Sequence, residues 1–112
     1  MKLKFFISQA MNGRTDEEIK REREEVIFAL KERNPYAECI DSFFESAPHD
    51  AKPLWFLGKS LELLSDADLC IFVDYAQDMA RGCKIEYQAC AAYGIDSCTY
   101  RTDKKEFEAR SC

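Results

Sequence analysis

A chain of 112 residues, 46% hydrophobic and 33% charged, suits one globular domain with a single modest core and is too apolar for disorder. Its formal net charge of −5 argues against a nucleic-acid polymer as partner, although a small anion needs only a local patch or a helix N-terminus. No apolar run approaches the roughly 20 residues that span a bilayer. The start, residues 1–8, reads as a strand rather than a signal peptide, so the expected setting is cytoplasmic with no membrane partner. Six cysteines occur, at 39, 70, 83, 90, 98 and 112, with no CxxC pair. They are expected to be free thiols in a reducing compartment. The single histidine, His49, has no cysteine at ligand spacing, so neither a metal nor a cofactor is expected.

In chain order, residues 2–8 alternate Leu3, Phe5 and Ile7 and predict a first strand. Residues 9–14 form a loop in which Gly13 supplies a positive φ and Arg14 a free cation. Thr15 caps a helix over 16–33, with Glu18 three residues on and acidic residues 16–18 in its first turn. Ile19, Val26, Ile27 and Leu30 mark its apolar face, and charged pairs such as Arg21 and Glu25 its solvated one. Asn34-Pro35 stops it. Residues 36–40 predict a short second strand followed by Asp41-Ser42, and residues 43–52, with His49 and Asp50, a loop long enough to form a wall or lid. From Pro53 the spacing of Leu54, Leu57, Leu61 and Leu64 predicts a second amphipathic helix, with Trp55 packing in the core.

The stretch 68–94 carries most of the information. After Asp68, the run Leu69-Cys70-Ile71-Phe72-Val73 suits a strand buried on both faces. It gives way to Asp74, Gln77 and Asp78, and Gly82 opens a helix ending at Gly94, with Glu86 in about its first turn. A last strand follows over 95–100, and the charged tail 101–112 carries weak helical signals and is expected to be peripheral to a domain formed by residues 1–100. Alternating strands and helices imply a parallel sheet of four to five strands with helices on both faces. Open sheets of this kind bind ligands beyond the carboxyl ends of their strands.

The chain has no GxGxxG turn, no GxxxxGK[ST] loop and no GxSxG elbow, so dinucleotide-dependent, triphosphatase and serine-hydrolase chemistry are not indicated. Carboxylates at strand ends remain: Asp41, Asp68, Asp74, Asp78 and Glu86. A carboxylate nucleophile is the chemistry of glycosyl transfer, and near a helix N-terminus it would stay ionised.

The segments FFISQAMNGRT, SDADLCIFV and ARGCKIEYQACAAYGI resemble the nucleoside 2-deoxyribosyltransferase-like proteins. The likeness extends to a small, largely uncharacterised bacterial and phage branch that shows IDSFF, APHDAKPLW, LGKSL and RGCxxE in this order. It covers the chain to about Tyr100. It implies a flavodoxin-like three-layer α/β sandwich that cleaves the N-glycosidic bond of deoxyribonucleosides or their 5'-monophosphates, and a homo-oligomer. By the same likeness Glu86, four residues after Gly82, is the nucleophile, and Asp68 is an active-site aspartate. Asp78 or Asp74 helps the base depart. Ser8, Gln9, Met11, Gly13 and Arg14 would hold sugar or phosphate, with Arg81 and the backbone at Gly82 favouring a 5'-phosphate. Two departures stand out: Phe6 replaces a tyrosine that orients the glutamate, and Ala80 replaces a polar helper. They favour a second reading, a non-catalytic nucleotide sensor or sponge using the same pocket. A third is an interaction protein presenting its charged first helix.

Overall fold

The computed structural model describes residues 2–42 and 49–109. The elements run β1 (Lys4–Ser8), α1 (Asp16–Arg33), β2 (Glu38–Cys39), α2 (Pro53–Leu64), β3 (Leu69–Val73), α3 (Ala76–Met79), α4 (Arg81–Tyr93), β4 (Asp96–Arg101) and β5 (Glu106–Ala109). They form one mixed α/β sheet in the order β2-β1-β3-β4-β5. The first four strands are parallel, and β5 returns antiparallel to β4.

The crossovers explain why helices cover both faces. The chain moves outward from β1 to β2 through α1, then doubles back past β1 to reach β3 through α2. Right-handed crossovers in opposite directions put their helices on opposite faces. Accordingly Phe5 and Ile7 of β1, with Ile71 and Val73 of β3 and Tyr100 of β4, pack against Val26 and Leu30 of α1. Phe6, Cys70 and Phe72 face the other way, against Leu64 of α2 and Cys83 and Cys90 of α4. Strands buried on both faces are therefore apolar throughout rather than alternating. The reversal of direction leaves a switch point between β1 and β3.

Local chemistry sets the helix ends. Gly13 has φ 77° in the turn before α1, and the Thr15 hydroxyl accepts the Glu18 N–H at 3.1 Å. Pro53 starts α2, and Gly94 closes α4 in the left-handed region at φ 73°. Trp55 is half-buried and meets Phe56 edge-on at 5.1 Å.

Several expectations need correction. The second strand is two residues long rather than five, since backbone bonds to β1 stop around Ile40. The segment after β3 contains a separate short helix, α3, broken from α4 by the extended Ala80, and α4 starts at Arg81 rather than Gly82. Residues 106–109 are strand where weak helical signals were expected: Phe107 packs edge-on against Tyr100 at 4.9 Å, and the Arg33 guanidinium lies over the same Phe107 ring, 5.0 Å from its centroid. Of the loop expected to form a lid, residues 43–48 lie outside the described residues, and His49 and Asp50 form an exposed turn. Cys39, Cys70, Cys83, Cys90 and Cys98 carry free thiols. Among the described residues no helix is long and apolar enough to cross a membrane.

Candidate functional site

The parallel register aligns Ser8 of β1 with Phe72 of β3, and Phe72 with Thr99 of β4. These three side chains form a row across the carboxyl end of the sheet, on the face that carries α2 and α4. Glu86 meets the first of them: the Ser8 hydroxyl donates to its Oε1 at 2.6 Å. Ser60 of α2 supplies a further hydrogen bond to the same carboxyl. Tyr87 stands edge-on over Phe72 at 5.5 Å, and the Gln77 amide reaches Thr99 at 3.5 Å.

Glu86 lies inside the protein, only 6% exposed. It occupies the second turn of α4, where the helix dipole has faded. Burial therefore pushes its carboxyl up to about 7, against the lowering effect of the hydrogen bonds from Ser8 and Ser60. This corrects the expectation of a carboxylate held ionised by the helix N-terminus: near neutrality Glu86 is divided between acid and carboxylate. Cys83 also contacts Ser8, and burial raises its thiol to about 11. Thiols at 70, 83 and 90 line the apolar side of the carboxyl. Phe6 is buried in the same cluster and has no hydroxyl to offer, so the bonds to the carboxyl come from Ser8 and Ser60.

The other expected residues divide. Asp68 precedes β3, and its carboxylate accepts the Lys4 N–H at 2.9 Å on the exposed amino end of the strands. One strand of five residues, roughly 16 Å at the usual rise, separates that end from Ser8 and Glu86. Asp68 is therefore an edge clamp, not a partner of Glu86. Asp74 does stand at the carboxyl end of β3, but both its oxygens are engaged, Oδ1 by the Thr102 N–H at 2.8 Å and Oδ2 by the Thr102 hydroxyl at 2.6 Å. Asp74 and Tyr75 are consecutive left-handed residues, φ 51° and 58°. Such backbone is costly for a tyrosine, and it is held by Thr102 on Asp74 and by the Tyr75 hydroxyl on Glu108. Asp78 is exposed on α3 and is the remaining acidic group near the start of α4.

Arg14 is not a free cation. Its guanidinium pairs with both oxygens of Glu22 at 3.0 Å and also donates to the Ala10 carbonyl. Met11 is exposed beside it, and Arg81 is exposed on the first residue of α4. Gly82 needs no positive φ, and a Cβ there would meet only Leu57 Cδ1, at 3.9 Å.

Three residues of this region were not among the expected site residues. Ser60 sits at the edge of the leucine stripe of α2, one turn before Leu64. Gln77 is buried, with an Oε1 that finds no partner among the described residues. Arg23 is 6% exposed and donates to Gln9 Oε1 at 3.3 Å and to Ser42 Oγ at 3.2 Å, with Cys39 Sγ at 4.0 Å. A signal for Arg23 did exist. It falls at the core-facing position between Ile19 and Val26, where an apolar residue belongs.

Among the described residues, no group of histidine, cysteine and acidic side chains is placed to hold a metal ion. A groove lined by Lys2, Lys31, Tyr36 and Glu38 lies at the amino end of the sheet, away from Glu86. Comparison with protein-family models, with curated proteins and with solved structures gives no match to this chain.

Proposed function

We propose that the chain is a flavodoxin-like domain that cleaves or transfers the N-glycosidic bond of deoxyribonucleosides or their 5'-monophosphates, with Glu86 as nucleophile. The observation that carries this reading is the buried Glu86 carboxyl, hydrogen-bonded by Ser8 at 2.6 Å at the switch point of a doubly wound sheet. Its strand order, β2-β1-β3-β4-β5, is that of flavodoxin-like folds apart from the antiparallel fifth strand. Ligands of such sheets bind at this place, and a carboxylate there has a partner in glycosyl transfer.

In the reaction, ionised Glu86 bonds to C1' as the bond from C1' to the base nitrogen breaks. The bonding pair leaves with the base, which takes a proton from Asp78 or water. Water, or a second base, then attacks C1' and releases Glu86. Ser8 and Ser60 hold the carboxylate in line without removing its charge. Because the carboxyl titrates near 7, base release by the first step rises with pH through neutrality.

A second reading, a nucleotide sensor or sponge, is favoured by a separate observation. Asp68 is at the far end of β3 and Asp74 is engaged by Thr102, so neither is placed to protonate a departing base. The test is incubation with a panel of deoxynucleosides and their monophosphates, with free base measured by chromatography. Release by the wild type and its loss in Glu86→Gln support the enzyme. Tight binding without release, or without exchange when a second base is present, replaces it by the sensor.

A further inference from the structure

We propose that Cys83 is a positioning residue for Glu86, acting through Ser8: its thiol fixes the hydrogen of the Ser8 hydroxyl on the carboxylate. The hydrogen-bond order stands on the geometry. Its bearing on turnover deepens the reading above and rests on Glu86 being the nucleophile.

The buried stripe of α4 has an uncommon composition. Helix residues spaced i, i+3 and i+7 share the face turned to a sheet, and the buried residues of α4 at that spacing are Cys83, Glu86 and Cys90. Two thiols and a carboxyl thus stand where aliphatic side chains would pack. Cys83 and Glu86 are neighbours on this face, one turn apart. Ser8, 2% exposed at the end of β1, reaches both. It donates to Glu86 Oε1 at 2.6 Å and hydrogen-bonds the Cys83 thiol. From α2 the Ser60 hydroxyl meets the same carboxyl. Cys70 of β3 and Cys90 also face Glu86, but they bond each other.

Counting hydrogens sets the direction of this chain of bonds. A hydroxyl has one hydrogen and two lone pairs. With its hydrogen on Glu86 Oε1, the Ser8 oxygen can only accept from Cys83. The order therefore runs from Cys83 S–H to Ser8 Oγ, and from Ser8 O–H to Glu86 Oε1. Protonated Glu86 permits the opposite order, in which the carboxyl hydrogen goes to Ser8 and the Ser8 hydrogen to sulfur. A donor at position 83 favours the first order, and hydrogen bonds in a chain strengthen one another. Burial pushes the Cys83 thiol up to about 11, whereas burial brings the carboxyl to about 7. Cys83 thus keeps its hydrogen throughout the range in which Glu86 ionises, and it brings a donor without bringing a charge. In the proposed reaction it touches neither C1' nor the base. It enlarges the share of Glu86 that is ionised and held in line.

The test uses the full chain with carbon-13 in its glutamate carboxyls, the Glu86 resonance being assigned by its loss in Glu86→Gln. Its titration is followed from pH 5 to 9 in the wild type, Cys83→Ser and Cys83→Ala. Serine is the stronger donor and should lower the midpoint; alanine has no donor and should raise it. Each shift should be roughly half a unit, the size of one weak hydrogen bond. Unmoved midpoints, or a carboxyl that does not titrate in this range, overturn the proposal. So do shifts of the same sign, because a packing role for sulfur is lost in both variants alike. Should Cys83→Ala fail to fold, Cys83→Thr and Cys83→Val repeat the comparison at equal shape. A lower midpoint with threonine than with valine supports the role of the donor, and equal midpoints overturn it. The pH profile of base release should move in step with the midpoints. Shifted midpoints without base release from the wild type keep the positioning role and remove the proposed chemistry. Base release with unmoved midpoints does the reverse.

Discussion

Replacing Glu86 by glutamine changes the pH dependence of stability in a direction the structure fixes. Folding raises this carboxyl from its ordinary 4.5 to about 7, so between those values the folded state binds more protons than the unfolded one. Stability from this group is therefore present in full below about 4.5 and falls as pH rises toward 7. The shift corresponds to about 3 kcal/mol, since each unit is worth about 1.36 kcal/mol. Glutamine keeps the shape and an oxygen to accept from Ser8 but carries no charge to bury. Urea unfolding of both proteins from pH 5 to 8 isolates the effect, because the remaining titrating groups are common to the two. Glu86→Gln should gain on the wild type as pH rises and be the more stable protein at pH 8. At roughly 4–8 °C per kcal/mol for a domain near this size, the accompanying difference in melting temperature exceeds 10 °C. Parallel stability curves across this range would refute the reasoning, since they would mean that Glu86 ionises as it does in water.

Three further outcomes follow from the geometry. Asp68→Asn weakens one exposed bond to the Lys4 N–H and should lower stability by at most about 1 kcal/mol, with base release unchanged; a large loss of turnover in a folded variant would restore Asp68 to the site. Gly82→Ala meets no clash and needs no special φ, so calorimetry should show a gain of up to about 1 kcal/mol, while any loss of ligand affinity would show that ligand needs the room. Thr102→Val removes the hydroxyl that donates to Asp74 at 2.6 Å and should cost about 1–3 kcal/mol, measured by urea unfolding.

Much of the framework can be read from the residues because local and tertiary preferences agree there. Thr15 and Glu18, Pro53 and Gly94 mark helix ends by chemistry that needs no partner, and the unbroken run 69–73 suits a central parallel strand. The strand β5 was hidden because Glu106-Phe107-Glu108-Ala109 offers a single large apolar side chain, whose value depends on Tyr100 and Arg33 being nearby. Asp68 illustrates a different failure. A residue that precedes a parallel strand stands at the end away from the ligand crevice, so chain order alone already spoke against the pairing that resemblance suggested. Glu86 was found as a carboxylate, but its environment depends on Ser8 and Ser60, which are 78 and 26 positions distant along the chain. Arg14 loses its expected freedom for the same reason: its pairing with Glu22 is decided by the packing of α1, not by composition.

The left-handed pair Asp74-Tyr75 has a consequence for how the site responds to distant change. This turn directs the chain from β3 toward α4, and its geometry is held by Thr102 and Glu108, 28 and 33 residues further on. The β4–β5 hairpin thus braces the turn that leads from β3 into α3. Substitutions at 102 or 108 should therefore loosen this turn from a distance, and their effects should combine non-additively with changes at Asp74.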